Sequence, residues 1–159
     1  MTDEDYCELS CNALDTGGLI QRAQRDSAGA VASFFGTTRD DFNGKRVLSL
    51  EYEAYEDMAL QGMRDIVASV RAKWDVCSVV ISHKLGQCPV GDASVVIVIS
   101  SVHRSEALHA VDFAINELKR TVSIWKKEIY DDGDTSWKEN AEFKTFHPVP
   151  PTETRVKTP

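Results

Sequence analysis

Ala93 to Val102 reads Ala-Ser-Val-Val-Ile-Val-Ile-Ser-Ser-Val, a nearly continuous run of β-branched residues. Such side chains are stiff about χ1 and pack well on a pleated surface, so a strand this apolar belongs at the centre of a sheet. The rest of the chain must supply the neighbouring strands and the layers that bury it. Gly29 to Gly36, bounded by glycines, reads as a buried strand, and Val76 to Leu85 and Ile124 to Tyr130 read as two more. Between Val47 and Tyr55 the residues alternate, which predicts Leu48, Leu50, Tyr52 and Ala54 facing in and Ser49, Glu51 and Glu53 facing out. The period then changes to that of a helix. Met63, Ile66, Val67, Val70 and Trp74 define one face of a long helix over Glu56 to Trp74. Ala107, Leu108, Val111, Ile115 and Leu118 define a second, capped by Ser105 and ending near Lys119-Arg120. A short helix over Leu14 to Arg25, with Thr16 as cap, precedes them.

Three segments read as connections. Thr37 to Lys45 contains Asn43-Gly44, a strong tight-turn signal, and reads as a mobile surface loop. Gly86 to Asp92 and Asp131 to Asp134 read as turns. The order β-β-α-β-β-α-β predicts an α+β fold, with helices packed on a mostly antiparallel sheet. At 159 residues one domain is expected, over 14–143. Residues 1–13 read as a polar acidic tail, and 144–159 as a proline-rich tail holding Pro148, Pro150, Pro151 and Pro159.

Charge and cysteine usage narrow the function. A formal net charge of −7 repels nucleic acid and anionic membranes, so an anionic ligand requires a local cluster of cations. The longest apolar run, Val95 to Ile99, falls far short of the roughly 20 residues that span a bilayer. The acidic start resembles neither a secretory signal nor a transit peptide, which predicts a cytoplasmic address. Cys7, Cys11, Cys77 and Cys88 are then expected to be free thiols. Cys7 and Cys11 lack an answering pair at zinc spacing, so no metal is expected. Cys77 reads as core and Cys88, before Pro89 in a turn, as the reachable thiol. His83, His109 and His147 have no partner at ligand spacing and read as structural or surface residues.

Three constellations carry chemistry. Ser101-Val102-His103-Arg104-Ser105 lies where a strand runs out and a helix begins, so unpaired N–H groups and two side-chain donors make an anion site. Read locally, the same residues fit a capped helix with a solvated arginine, and Glu106 competes for the dipole. Lys119 ends that helix and Lys126 lies in the following strand, sharing a face with Glu128 while Trp125, Lys127 and Ile129 take the other. Two lysines converging on one pocket would suit acid–base or nucleophilic work; alternatively both are solvated. Arg39, in the loop after Phe34-Phe35-Gly36, is the third.

The pieces Gly29-Ala-Val-Ala-Ser-Phe-Phe-Gly-Thr-Thr-Arg39, Leu50-Glu-Tyr-Glu-Ala-Tyr-Glu-Asp-Met58, His83-Lys-Leu-Gly86, Pro89-Val-Gly-Asp92, Ser101-Val-His-Arg-Ser-Glu-Ala107 and Ile124-Trp-Lys-Lys-Glu128 occur in one order. In that order and spacing, over about residues 14 to 140, the chain resembles the large, catalytic subunit of molybdopterin synthase. The resemblance implies an α/β hammerhead fold with a small extra β subdomain. It implies conversion of cyclic pyranopterin monophosphate to molybdopterin, with two sulfurs from the C-terminal Gly-Gly thiocarboxylate of a small ubiquitin-like partner. It places Thr37, Thr38, Arg39, His103 and Arg104 in the anion and pterin pocket, makes Lys119 and Lys126 catalytic, and sets Lys127 and Glu128 beside the substrate. It further implies a homodimer at the centre of a heterotetramer, and no cofactor, because the sulfur arrives activated. Two other readings stand beside it, a non-catalytic phosphate or pterin binder and a sulfurtransferase relaying sulfur through its own Cys88.

Overall fold

A computed structural model describes residue 2 and residues 4–138 of the chain; the expected proline-rich tail and His147 lie outside these residues. Among the described residues three helices and nine strands follow in the order β1 (Tyr6–Ser10), α1 (Thr16–Ala23), β2 (Ala30–Thr37), β3 (Asp41–Phe42), β4 (Lys45–Ala54), α2 (Glu56–Lys73), β5 (Val76–Lys84), β6 (Gly86–Pro89), β7 (Ala93–Ser101), α3 (Arg104–Thr121), β8 (Ile124–Tyr130) and β9 (Thr135–Lys138). They form two sheets. The first runs β1-β5-β7-β2, antiparallel except for the parallel β1–β5 pair. The second runs β3-β4-β8-β9, with β6 also paired to β4. This is the expected α+β class, with the second sheet as the extra β unit. Among the described residues no helix is long and apolar enough to cross a membrane.

The central run explains the layering. In β7, Val95, Ile97 and Ile99 pack with Val79 and Ile81 of β5 in the core that α2 and α3 cover. Val96 and Val98 point to the other face, where they meet Val80 and the Leu19 and Ala23 of α1. Val95 to Ile99 are apolar without interruption because both faces are covered. Met63, Ile66, Val67 and Val70 bring α2 onto this core at helical spacing. Ile97→Val removes one methylene from a fully buried position and is expected to cost about 1 kcal/mol, read as an unchanged slope and lowered midpoint in urea.

Several local expectations are corrected. Residues 6–10, read as part of an acidic tail, form β1, which the parallel ladder to β5 secures. Asp15, not Thr16, caps α1, accepting a 3.0 Å hydrogen bond from the Gly18 N–H. β2 is an edge strand and alternates in exposure, leaving Val31 and Phe35 in solvent. In β4 the register skips between Val47 and Ser49, so a bulge turns Leu48 outward at 49% exposure while Ser49 is buried. His103, not Ser105, occupies the cap of α3, and Leu108 is exposed because it lies 100° around the helix from Ala107 on the flank of the Ala107–Ala110–Val111–Ala114 stripe. The Gly86 to Asp92 turn contains β6, and the loop expected over 37–45 contains β3 and the turn into β4, closed by Asn43 and Gly44 at φ 53° and 79°. β9 follows the Asp131–Asp134 turn and was not foreseen.

Cysteine placement also differs. All four are free, but Cys88 is fully buried, with the Thr38 hydroxyl 3.4 Å from its sulfur, because β6 is laid against β4. Cys77 is only half-buried, and the exposed thiol is Cys11.

Candidate active site

α3 ends where the chain must turn into β8, and that turn places the first lysine. The Val122 N–H still bonds the Leu118 carbonyl at 3.1 Å, after which Val122 goes extended. Lys119, in the last turn, is half-buried over the gap between α3 and the second sheet. The strand register places the other lysine. Lys126 of β8 stands opposite Tyr52 of β4 and therefore emerges on the same face of the sheet. Both lysines line one cavity of about 260 Å³, floored by the ends of β2, β5 and β7 through Phe34, Gly36, Thr37, His83 and Ser94.

The face assignment within β8 holds. Lys126 Nζ lies 3.7 Å from Glu128 Oε1, two residues on, and the Glu128 carboxylate is buried, its other oxygen accepting from the Tyr130 hydroxyl. The hydrogen bond to Glu128 pushes the Tyr130 phenol up to about 12, with burial adding to it. Glu128 thus reaches the cavity through Lys126. Lys127 points the other way, 3.9 Å from Glu51 and 5.7 Å from the Trp137 ring centre.

The anion residues other than Thr37 are not assembled with the lysines. Thr37 lines the cavity. Thr38 is buried against Cys88 and bonds the Gly91–Asp92 turn through its own N–H and carbonyl, so it braces the loop. Arg39, beyond it, is exposed and outside the cavity lining. His103 and Arg104 are exposed at the opposite end of α3 from Lys119. Fifteen residues of helix separate Arg104 from Lys119, about 22 Å of rise.

Tyr52 and His83 are the wall residues that pattern reading did not single out for function. They touch edge to face, with ring centres 5.0 Å apart and planes at 77°. Burial raises the Tyr52 phenol to about 12 and lowers the His83 imidazole to about 4. The inward alternation of β4 was the available signal for Tyr52; nothing local marks His83, which joins the cavity through the pairing of β5 with β7.

A family profile described as MoaE protein matches residues 9–121. The chain is 50% identical over 141 residues to the molybdopterin synthase catalytic subunit 1 of Aedes aegypti, covering 87% of this chain and 91% of that protein. It is 53% identical over 140 residues to the molybdopterin synthase catalytic subunit of Drosophila melanogaster, 87% of this chain but only 38% of that longer protein. Among solved structures, the molybdopterin synthase from Staphylococcus aureus superposes with a TM-score of 0.79 at 33% identity, covering 82% of this chain and 95% of that one.

Proposed function

The chain belongs to the MoaE protein family, and on that premise we propose that it is the catalytic subunit of a molybdopterin synthase. It converts cyclic pyranopterin monophosphate to molybdopterin, taking two sulfurs in two successive transfers, each from the C-terminal thiocarboxylate of a small ubiquitin-like partner that leaves as the carboxylate. The observation that carries this reading is the meeting of Lys119 and Lys126 on one cavity from two separate elements. A binder of phosphate or pterin needs cations for recognition, whereas a paired, half-buried lysine site suits a reaction that develops negative charge on departing oxygens. Lys119 and Lys126 are the catalytic residues in this reading. Glu128 orients Lys126, and Thr37 faces the substrate from the loop.

The exposed Arg39, His103 and Arg104 bind the anionic phosphate. Because about 22 Å of α3 separates Arg104 from Lys119 within one copy, we assign His103 and Arg104 to the site of a second copy, in a homodimer at the centre of a heterotetramer. Lys127, held near Glu51 on the opposite face of β8, lies outside this cavity and is given no part at the reacting centre. The reaction belongs in the cytoplasm, in keeping with four free thiols. The direct test mixes the purified chain with a thiocarboxylated partner and cyclic pyranopterin monophosphate. Dithiolene product supports the proposal; bound pterin without product supports the binder.

The relay through Cys88 is disfavoured. Its thiol is fully buried, lies outside the lining of the lysine cavity and is held above its ordinary pKa by burial. Cys88→Ser is therefore expected to transfer sulfur at close to the wild-type rate, measured in a single turnover with thiocarboxylated partner. Loss of transfer in the folded variant would restore the relay.

A further inference from the structure

His83 stands in the wall of the lysine cavity without belonging to either cationic cluster. At 5% exposure it lies near the end of β5, paired with Leu9 of β1 on one side and Val95 of β7 on the other. Its Nδ1 is 2.8 Å from the Lys84 carbonyl oxygen. A carbonyl only accepts, so Nδ1 carries the proton and Nε2 presents a lone pair. Burial keeps the ring neutral, with a pKa near 4, and so keeps this tautomer at neutral pH. The Tyr52 ring fixes the imidazole plane from one side.

The other polar groups of the wall have different character. The two lysines are donors, and the Ser94 hydroxyl donates to the Gly36 carbonyl at 3.1 Å. A cavity with two lysine amines, the Thr37 and Tyr52 hydroxyls that can donate or accept, and one imidazole acceptor of fixed tautomer suits a ligand that is anionic or electron-rich in one part and offers an N–H in another. We infer that His83 is a specificity-determining residue, its Nε2 accepting a hydrogen bond from a ring N–H of the reduced pterin substrate. The inference rests on the sulfur-transfer reading, from which the substrate is taken. A space-filling imidazole would need only its shape; this one has its tautomer set by Lys84 and its plane set by Tyr52, which is how a site pre-organises an acceptor.

The test is anaerobic titration of the full chain with cyclic pyranopterin monophosphate, followed by fluorescence and by the nitrogen NMR resonance of His83 Nε2. On saturation the Nε2 resonance of the wild type should move toward the hydrogen-bonded position. His83→Asn keeps a donor for the Lys84 carbonyl but removes the acceptor, and should weaken binding roughly tenfold and raise KM with little change in kcat. His83→Gln, whose amide oxygen extends to the Nε2 position, should retain most of the affinity. Failure of the wild type to bind the pterin would overturn the sulfur-transfer reading itself. Binding by the wild type with an unmoved Nε2 resonance would overturn the role of His83 alone, and does so even where a variant loses its fold. Wild-type affinity in a folded Asn variant would do the same.

Discussion

Lys119→Ala is expected to slow sulfur transfer by roughly 10²–10³-fold, the loss typical of removing one fixed group that stabilises developing negative charge. The position makes the variant interpretable. Lys119 is in the last turn of α3, where a cation contributes only about 0.3–1 kcal/mol through the helix dipole, and the core under that turn is made by Ile115, Leu118 and Val122. Folding should therefore survive. The partner's body should dock through buried apolar anchors rather than through a residue inside a cavity, so association should change far less than rate. Calorimetry of partner binding beside single-turnover sulfur transfer separates the two effects. Affinity falling in proportion to rate would make Lys119 a docking residue and remove it from the chemistry.

Arg71→Ala is expected to cost about 3–5 kcal/mol, a large share of the roughly 5–15 kcal/mol that holds a domain of this kind together. Arg71 on α2 grips Asp5 with two hydrogen bonds, Nε at 2.8 Å from Oδ2 and Nη2 at 2.7 Å from Oδ1, and also reaches the carbonyls of Val76 and Cys77. The Asp5 side chain is wholly buried and also accepts the Val79 N–H at 3.1 Å, so it fastens the start of β1 to β5. Deleting the guanidinium leaves that carboxylate in the interior without its counter-charge. Burial pushes the Asp5 carboxyl up, but the Arg71 hydrogen bond, the Thr2 N–H and the Arg71 charge outweigh it, and the group sits below its ordinary range. The unfolded chain therefore takes up the proton more readily than the folded one. Stability contributed by the pair is present above about pH 4 and is lost as pH falls below it. In the variant the buried acid has no such advantage, so the gap between variant and wild type in urea should be widest near neutrality and should narrow in acid. A gap independent of pH would mean that the packing of the Arg71 stem, rather than the ion pair, supplies the stabilisation.

What could be read from the sequence follows from short-range physics. The β-branched run of β7, the helical spacing of Met63, Ile66, Val67 and Val70, and the Asn43-Gly44 turn each report a local preference that the tertiary structure only reinforces. The pairing of Lys126 with Glu128 on one face was legible for the same reason, since alternation along a strand is a property of the backbone. The family pieces carried the rest of the functional reading, because no single constellation was decisive on its own residues.

Tertiary structure decided whatever depended on a distant partner. Tyr6–Ser10 is a strand because Asp5 meets Arg71 sixty-six residues away and β5 offers a parallel edge, so a locally polar segment is drawn into the sheet. Leu48 faces solvent because a bulge shifts the register of β4 against β8, exchanging the sides of Leu48 and Ser49 while Tyr52 and Ala54 beyond it stay inward. Cys88 is buried because β6 pairs with β4, a contact invisible in a glycine- and proline-bearing turn. Above all, Lys119 and Lys126 meet across one cavity while His103 and Arg104, on the same helix as Lys119, are carried away from it. Sequence spacing gives the length of α3, but only its packing over β2 and β7 makes its C-terminal end a wall of the cavity, to which the pairing of β5 with β7 adds His83.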